Sequence, residues 1–396
     1  MSNNSPFYID KFAASVKGCE SNIFANILEE EKQIKISFAV GLPSSELFPM
    51  LSFKEAAIDV LSNDPGVLQY SPPSFELKQQ IVLLMKERGV TCTEKQIFLT
   101  TGGQEGISLL LKLFLNKKDK IFVEKLIYPG FIQISNQFEL DVVTINSTDK
   151  GIDVDEIERH LKNGIIPKFI YAIVDGHNPL SINTPYDQRL KLVNLAKEYQ
   201  IPIIEDDPYG FLFYKKSIPP LKSIDPDYVF YVSSFSKILV PLLKVGWIIV
   251  PEGLIKNLTT IKEGVDLNTA TISQKIIAKF LSQGRLNDHL GMLRVKYKEK
   301  RDLMVDALKK YFPKDAKFNV PDSGIFIWVE LSDNVNTLKL LEISIKKYGI
   351  SFMPGQVFSI NKKLMFSNSL RLNFTNSENQ EIIYGIEKLG ELINEF

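Results

Sequence analysis

The sequence predicts an α/β protein, with a large domain on a mostly parallel seven-stranded sheet and a smaller α+β domain. Three observations predict it. Between Gln96 and Val250 short apolar runs alternate with amphipathic stretches, the pattern of βα units. From about Gln274 a long helical stripe takes over and then gives way to short strands and helices. The length, 396 residues, exceeds what one hydrophobic core organises.

In the large domain the strand candidates are IFLT, KIFVEKL, FIYAIVD, IPIIEDD, YVFYVSS and VGWIIV. Helices are expected between them: Ile107, Leu110, Leu111 and Phe114 recur at helical spacing, and LKLVNLAKEYQ repeats the pattern before IPII. Further on, Leu290, Leu293, Tyr297, Met304 and Leu308 form one stripe that ends near Phe312 and Pro313. The remainder supplies the strands GIFIWVE, ISFMPG and SLRLNF and two helices, the last being NQEIIYGIEKLGELINEF. The expected division is an arm at 1–49 that joins the small domain, a large domain at 50–285 and a small domain at 286–396.

Charge and composition narrow the chemistry. The chain carries 47 basic and 47 acidic residues, which gives no electrostatic footprint for nucleic acid or an anionic membrane, so small-molecule partners are expected. Cys19 and Cys92 form no CxxC pair, and His160, His177 and His289 lack ligand spacing, so neither a disulfide nor a metal site is expected. The N-terminus lacks the apolar core of a secretory signal, and a cytoplasmic location is expected. The run from Val229 to Val250 is apolar enough to suggest a membrane span, but it contains Lys237 and Lys244. Each would cost about 3 kcal/mol at bilayer depth, so two buried strands joined by a functional turn explain the run better.

Open α/β sheets bind ligands at the carboxyl ends of their strands, where three groups of residues stand out. After IFLT, TTGGQEG opens a helix whose first amides can receive a phosphate at Gly103 and Gln104. After IPII come Glu205, Asp206, Asp207, Pro208 and Tyr209, a set of carboxylates that needs a cationic partner. After YVFYV, Ser-Ser-Phe-Ser-Lys237 is followed by Ile-Leu-Val, and a lysine in such surroundings is desolvated towards a nucleophilic amine. Singly, each has an ordinary explanation: a Gly-rich turn, a surface Asp-Pro turn, a lysine snorkelling to solvent. Together they supply what an aldehyde cofactor with a phosphate and a pyridine ring requires.

The residues resemble the fold-type I pyridoxal-phosphate enzymes, in the class I/II branch of kynurenine/aminoadipate aminotransferases and the aminotransferase domains of MocR-type regulators. The resemblance covers nearly the whole chain through ISFAVGLPSSELFP, YSPPSFELKQQI, TTGGQEG, YPGF, HNP, IIEDDPYGFL, SSFSK, VGWIIVP, FMPGQVF and LRLNF, in the family's order. It implies an aminotransferase that moves an amino group between an L-amino acid and a 2-oxo acid, with pyridoxal 5'-phosphate held by Lys237 as a Schiff base. It further implies Asp206 as partner of the pyridine nitrogen, Tyr209 and Asn178 at the phenolic oxygen, and Tyr128 stacked on the ring. Gly103, Gln104, Ser234 and Ser236 match phosphate-binding positions. Tyr70 matches a tyrosine that reaches the phosphate of the neighbouring subunit, which implies a homodimer. Arg371 resembles the arginine that clamps the substrate α-carboxylate, with Gly41 and Asn178 beside it.

Three departures from the pattern stand near these positions. Lys244 occupies the place of a phosphate-binding arginine and supplies a point charge without the planar fork. The usual Asn-Pro-Thr-Gly reads Asn178, Pro179, Leu180, Ser181, and the usual Ser-Pro-Ile-Arg reads Ser21, Asn22, Ile23, Phe24. Members that handle acidic side chains often carry arginine at that last position, so Phe24 points to an apolar or aromatic substrate. The same scaffold hosts decarboxylases, lyases, cyclases and oxidases of amino acids, which form the alternative reading. A MocR-type regulator is disfavoured, because the pattern begins within the first fifty residues and the charge is neutral.

Overall fold

The computed structural model describes residue 11, residues 33–361 and residues 366–395. Its centre is a seven-stranded sheet of β1 (Ile97–Thr100), β2 (Lys120–Glu124), β3 (Asp141–Ile145), β4 (Ile170–Ala172), β5 (Ile203–Asp206), β6 (Val229–Ser234) and β7 (Gly246–Ile249). The spatial order is β1-β7-β6-β5-β4-β2-β3. Only β7 runs against its neighbours. β5, β6 and β7 are buried along their whole length, which is why they read as continuous apolar runs. β3 is absent from the strand candidates above: it lies at the sheet edge, and its DVVTI is largely part-exposed. FIYAIVD contributes only three residues of strand, because from Ile173 the chain leaves the ladder to form the loop that reaches Asn178.

The register of β7 fixes the geometry of two of the turns. Gly246 lies opposite Thr100 of β1 and Ser234 of β6, so the turns that follow those two strands flank it. A Cβ on Gly246 would stand 2.7 Å from the carbonyl carbon of Gly102 and from the Ser233 oxygen. Glycine alone therefore lets the two turns close to this distance.

A second sheet holds β8 (Lys317–Phe318), β9 (Phe326–Glu330), β10 (Met353–Pro354) and β11 (Ser369–Asn373), in the order β8-β9-β11-β10. Near the start of the described chain, Ile36–Ser37 pairs in parallel with Ile350–Ser351, and the backbone of Phe38 accepts from Asn373. These pairings carry residues 39–42 across to the carboxyl ends of the large sheet. Leu290, Leu293, Tyr297, Met304 and Leu308 are all buried on the helix Leu286–Tyr311, as their spacing requires. The pattern from Gln274 is not one helix, however: Thr271–Ser282 ends before Gly284, whose φ of 72° breaks the ladder ahead of the longer helix. Among the described residues no helix is long and apolar enough to cross a membrane.

Candidate active site

The carboxyl ends of β1, β2, β4, β5 and β6 converge on a cavity of about 410 Å³, closed from the far side by residues 40–42 and by the second sheet. On the β1 side Gly102, at φ 83°, caps the helix Gly103–Phe114 and leaves Gly103 and Gln104 on the cavity wall. Glu105 of the same turn faces away, paired with the buried ammonium of Lys262 at 2.8 Å. Ser234 and Ser236 line the wall next to this turn, their hydroxyls 2.8 Å apart. Lys244 lines it as well, from the left-handed residue that ends the turn Pro241–Leu243. Hydroxyls, helix-start amides and an ammonium thus meet in one corner, a donor set suited to a phosphate.

The floor is made by Asp206 at the end of β5 and by side chains from the turns that follow β5 and β6. Lys237 donates to the carbonyl of Gly41 at 2.6 Å. Burial, with the nearby charge of Arg371 as a second cause, pushes its amine down to about 8. The Asp206 carboxylate is buried and accepts from the Tyr171 hydroxyl at 2.5 Å. Burial raises it to about 7, the Tyr171 bond opposes that rise, and the neighbouring Asp207 adds to it. Tyr171 stood unremarked inside a strand run; its role follows from β4 lying beside β5, with Tyr171 opposite Ile204. Tyr209 is hydrogen-bonded to Asn178, and burial raises its phenol well above the usual range. Tyr128 overhangs the cavity and donates to Gln104 at 3.3 Å.

Arg371 enters from β11. One of its nitrogens donates to Asn178 and another to the carbonyl of Ala39, each at 2.7 Å. The rings of Phe326 and Phe358 lie 3.7 and 4.8 Å from the guanidinium carbon, and burial lowers the group to about 10. Its Nε is buried without a hydrogen-bond partner. A buried guanidinium with an unused donor is a place for a carboxylate. Phe326 also sets the approach of the 39–42 segment: a Cβ on Gly41 would stand 2.8 Å from that ring.

Every residue to which the resemblance gave a role in the site lines this cavity except Tyr70 and Phe24, whereas of the three adjacent acids only Asp206 lines it and Glu205 and Asp207 do not. Tyr70 is 90% exposed and lies on a separate surface recess beside Asp266 and Thr269. Phe24 lies outside the described residues. The cavity also exposes Val40, Leu42, Gln133, Ile173, Met353 and Val357, to none of which the sequence had given a role of its own.

The pattern of the family "Aminotransferase class I and II" matches residues 33–389, the stretch that supplies the cavity walls just described. The chain belongs to this family. It is a pyridoxal-phosphate-dependent aminotransferase. It is similar to an aromatic-amino-acid aminotransferase of Thermococcus litoralis, 33% identical, with 98% of this chain and 94% of that one covered. A 2-aminoadipate transaminase of Thermus thermophilus is 30% identical, with 90% of each chain covered. Among solved structures, kynurenine aminotransferase of Pyrococcus horikoshii superposes with a TM-score of 0.91 at 30% identity over 97% of both chains. Alpha-aminoadipate aminotransferase of Thermus thermophilus, complexed with N-(5'-phosphopyridoxyl)-L-leucine, gives a TM-score of 0.91 at 28% identity over 98% of both. The cavity of this aminotransferase fits such a cofactor: an amine, a buried carboxylate and a corner of phosphate donors face one another across it.

Proposed function

We propose that this aminotransferase takes its amino group from an L-amino acid with an apolar or aromatic side chain and passes it to a 2-oxo acid. The observation that carries this reading is the inventory of cations. Among the described residues, the cavity is lined by three, Lys237, Lys244 and Arg371. Each has a task, at the cofactor amine position, the phosphate corner and the α-carboxylate, so a second substrate carboxylate finds none. Val40, Leu42, Met353 and Val357 instead give the side chain an apolar wall, where each buried methylene contributes about 0.8 kcal/mol.

In this reading Lys237 would hold the cofactor through its amine, Asp206 would face the ring nitrogen, and Tyr209 and Asn178 would bind the phenolic oxygen. Tyr128 would stack on the ring, with Gly103, Gln104, Ser234, Ser236 and Lys244 on the phosphate. Bound there, pyridoxal phosphate supplies an aldehyde for condensation with amines and a ring that accepts the electrons left when the α-proton departs. Arg371, with Asn178 and the Gly41 backbone beside it, orients the substrate carboxylate so that the Cα–H bond faces Lys237. Lys237 Nζ would take that proton and later return it. Its lowered basicity suits the task, since an amine near 8 is available in neutral form close to physiological pH. A panel of donors tests the substrate class: phenylalanine, leucine and methionine are expected to exceed glutamate and aminoadipate in kcat/KM. An acidic donor at the head of the panel would overturn the assignment.

The same reading includes a cytoplasmic homodimer in which Tyr70 completes the phosphate corner of the partner subunit. Its support is the exposure of Tyr70 together with Leu68, at 90% and 80%, in a recess outside the chain's own cavity. Mixing Lys237→Ala with Tyr70→Phe subunits then gives hybrid dimers in which one site has both defects and the other has neither. The mixture is expected to be more active than the sum of its parents; a simple sum would place Tyr70 outside the partner's site.

A further inference from the structure

A buried charged cluster lies beneath the turn that carries Asp206 and Tyr209, and none of the steps above uses it. Arg88, at the end of the helix Phe75–Glu87, is its centre. One guanidinium nitrogen donates to Asp175 at 2.7 Å and to Asp207 at 3.3 Å. Another donates to the carbonyl of Gly210 at 2.6 Å and to the Ser217 hydroxyl at 2.8 Å. Asp175 stands in the stretch Asp175-Gly176-His177-Asn178, and Asp207 and Gly210 bracket Tyr209. A single planar fork therefore grips both segments that deliver Asn178, Asp206 and Tyr209 to the cavity. The fit is close, since a Cβ on Gly210 would stand 2.3 Å from an Arg88 nitrogen.

The charges are matched as well. Asp207 accepts from the Gly210 amide at 2.6 Å and the Tyr231 hydroxyl at 2.8 Å, and Asp175 is also held by Arg189 at 2.6 Å. Two guanidinia thus face two carboxylates. Glu205 is satisfied separately by the amides of Leu221 and Lys222, and the ring of Phe211 lies 5.5 Å from the Arg88 guanidinium carbon.

We infer that Arg88 is a positioning residue for the cofactor: it ties the loop of Asn178 to the turn of Asp206 and Tyr209, and its charge offsets that of Asp207 beside Asp206. The tie keeps Asn178 and Tyr209 in hydrogen-bond contact. The charge matters because Asp207 already pushes Asp206 upward, and without Arg88 the acid would be neutral over more of the pH range. A neutral acid holds a protonated ring nitrogen poorly. Removing one partner of a buried ion pair leaves the other uncompensated, whereas removing both restores neutrality.

The inference rests on the assignment of Asp206, Tyr209 and Asn178 to the cofactor, and the experiment separates the two. Pyridoxal phosphate is titrated into apoprotein of Arg88→Met, Asp207→Asn and the double variant, and the absorbance of the cofactor bound at Lys237 is followed against pH. Arg88→Met is expected to weaken binding about tenfold or more and to raise the titration midpoint by about one unit, as one unbalanced charge near the site should. Asp207→Asn is expected to lower the midpoint, and the double variant to return it towards wild type. A structural role alone would leave the midpoint in place while lowering the melting temperature. Where Arg88→Met does not fold, the opposite shift in Asp207→Asn carries the test, and an unmoved midpoint there overturns the inference. A wild-type protein without cofactor absorbance at Lys237 would defeat the site assignment itself; unchanged midpoints in variants that bind the cofactor defeat only the role of Arg88.

Discussion

Asp206→Asn is expected to keep the cofactor bound and to slow α-proton removal about a thousandfold, a barrier increase of about 4 kcal/mol. Asparagine matches aspartate in shape and its amide oxygen can still accept from Tyr171, so the packing around the 2.5 Å contact is preserved. What changes is the charge. A carboxylate stabilises a proton on the ring nitrogen, whereas an amide NH₂ donates to an unprotonated nitrogen and leaves the ring a poor acceptor of electrons. The site magnifies the difference because Asp206 is 5% exposed, so little water competes for the pair. The measurements are loss of α-deuterium from labelled substrate and the nitrogen-15 chemical shift of labelled cofactor. Turnover within tenfold of wild type would show that another group protonates the ring.

Lys237→Ala removes both the amine that would hold the cofactor and the group that would move the proton. General acid–base transfer alone contributes about a hundredfold to ten-thousandfold, and the loss in kcat is expected at or beyond the upper end of that range. Borohydride reduction of wild-type holoenzyme should fix the cofactor on the peptide containing Lys237, and the alanine variant should yield no adduct. The pH dependence follows from the depressed basicity. With the amine titrating near 8, about one-tenth is neutral at pH 7, against about one part in three thousand for an ordinary lysine. Because the folded value is lowered, the reactive neutral form grows as pH rises through 8 and then saturates. Capture of pyridoxal phosphate by the apoprotein should accelerate between pH 7 and pH 9 and level off. A rate that climbs steadily to pH 10 would mean that Lys237 is not desolvated.

Much of this site was legible before any folding, and the illegible part has identifiable causes. The turns TTGG and SSFSK announced themselves because they follow apolar runs that match β1 and β6. Arg371 was legible through SLRLNF, although its orphaned Nε and its two flanking rings were not. Tyr171 and Arg88 carried no local mark, since a tyrosine in a strand and an arginine at a helix end are ordinary residues. They acquire roles from partners at positions 206, 175 and 207, which only the sheet order brings to them. β3 was missed because an edge strand lacks the continuous apolar run of a central one.

By itself, the sequence determined the alternation of strands and helices, the polar turns that end the strands and the family to which they belong. The tertiary structure decided the work of the three adjacent acids, Glu205, Asp206 and Asp207. Side chains alternate along a strand, so neighbouring carboxylates must part, but alternation alone does not say which of them meets the cavity. The fold does: Glu205 turns to the amides of Leu221 and Lys222, Asp207 to Arg88 and Tyr231, and Asp206 to the cavity floor. A buried carboxylate takes its function from the donor that the packing sets opposite it, and that donor is fixed by long-range contacts that no local run of residues contains.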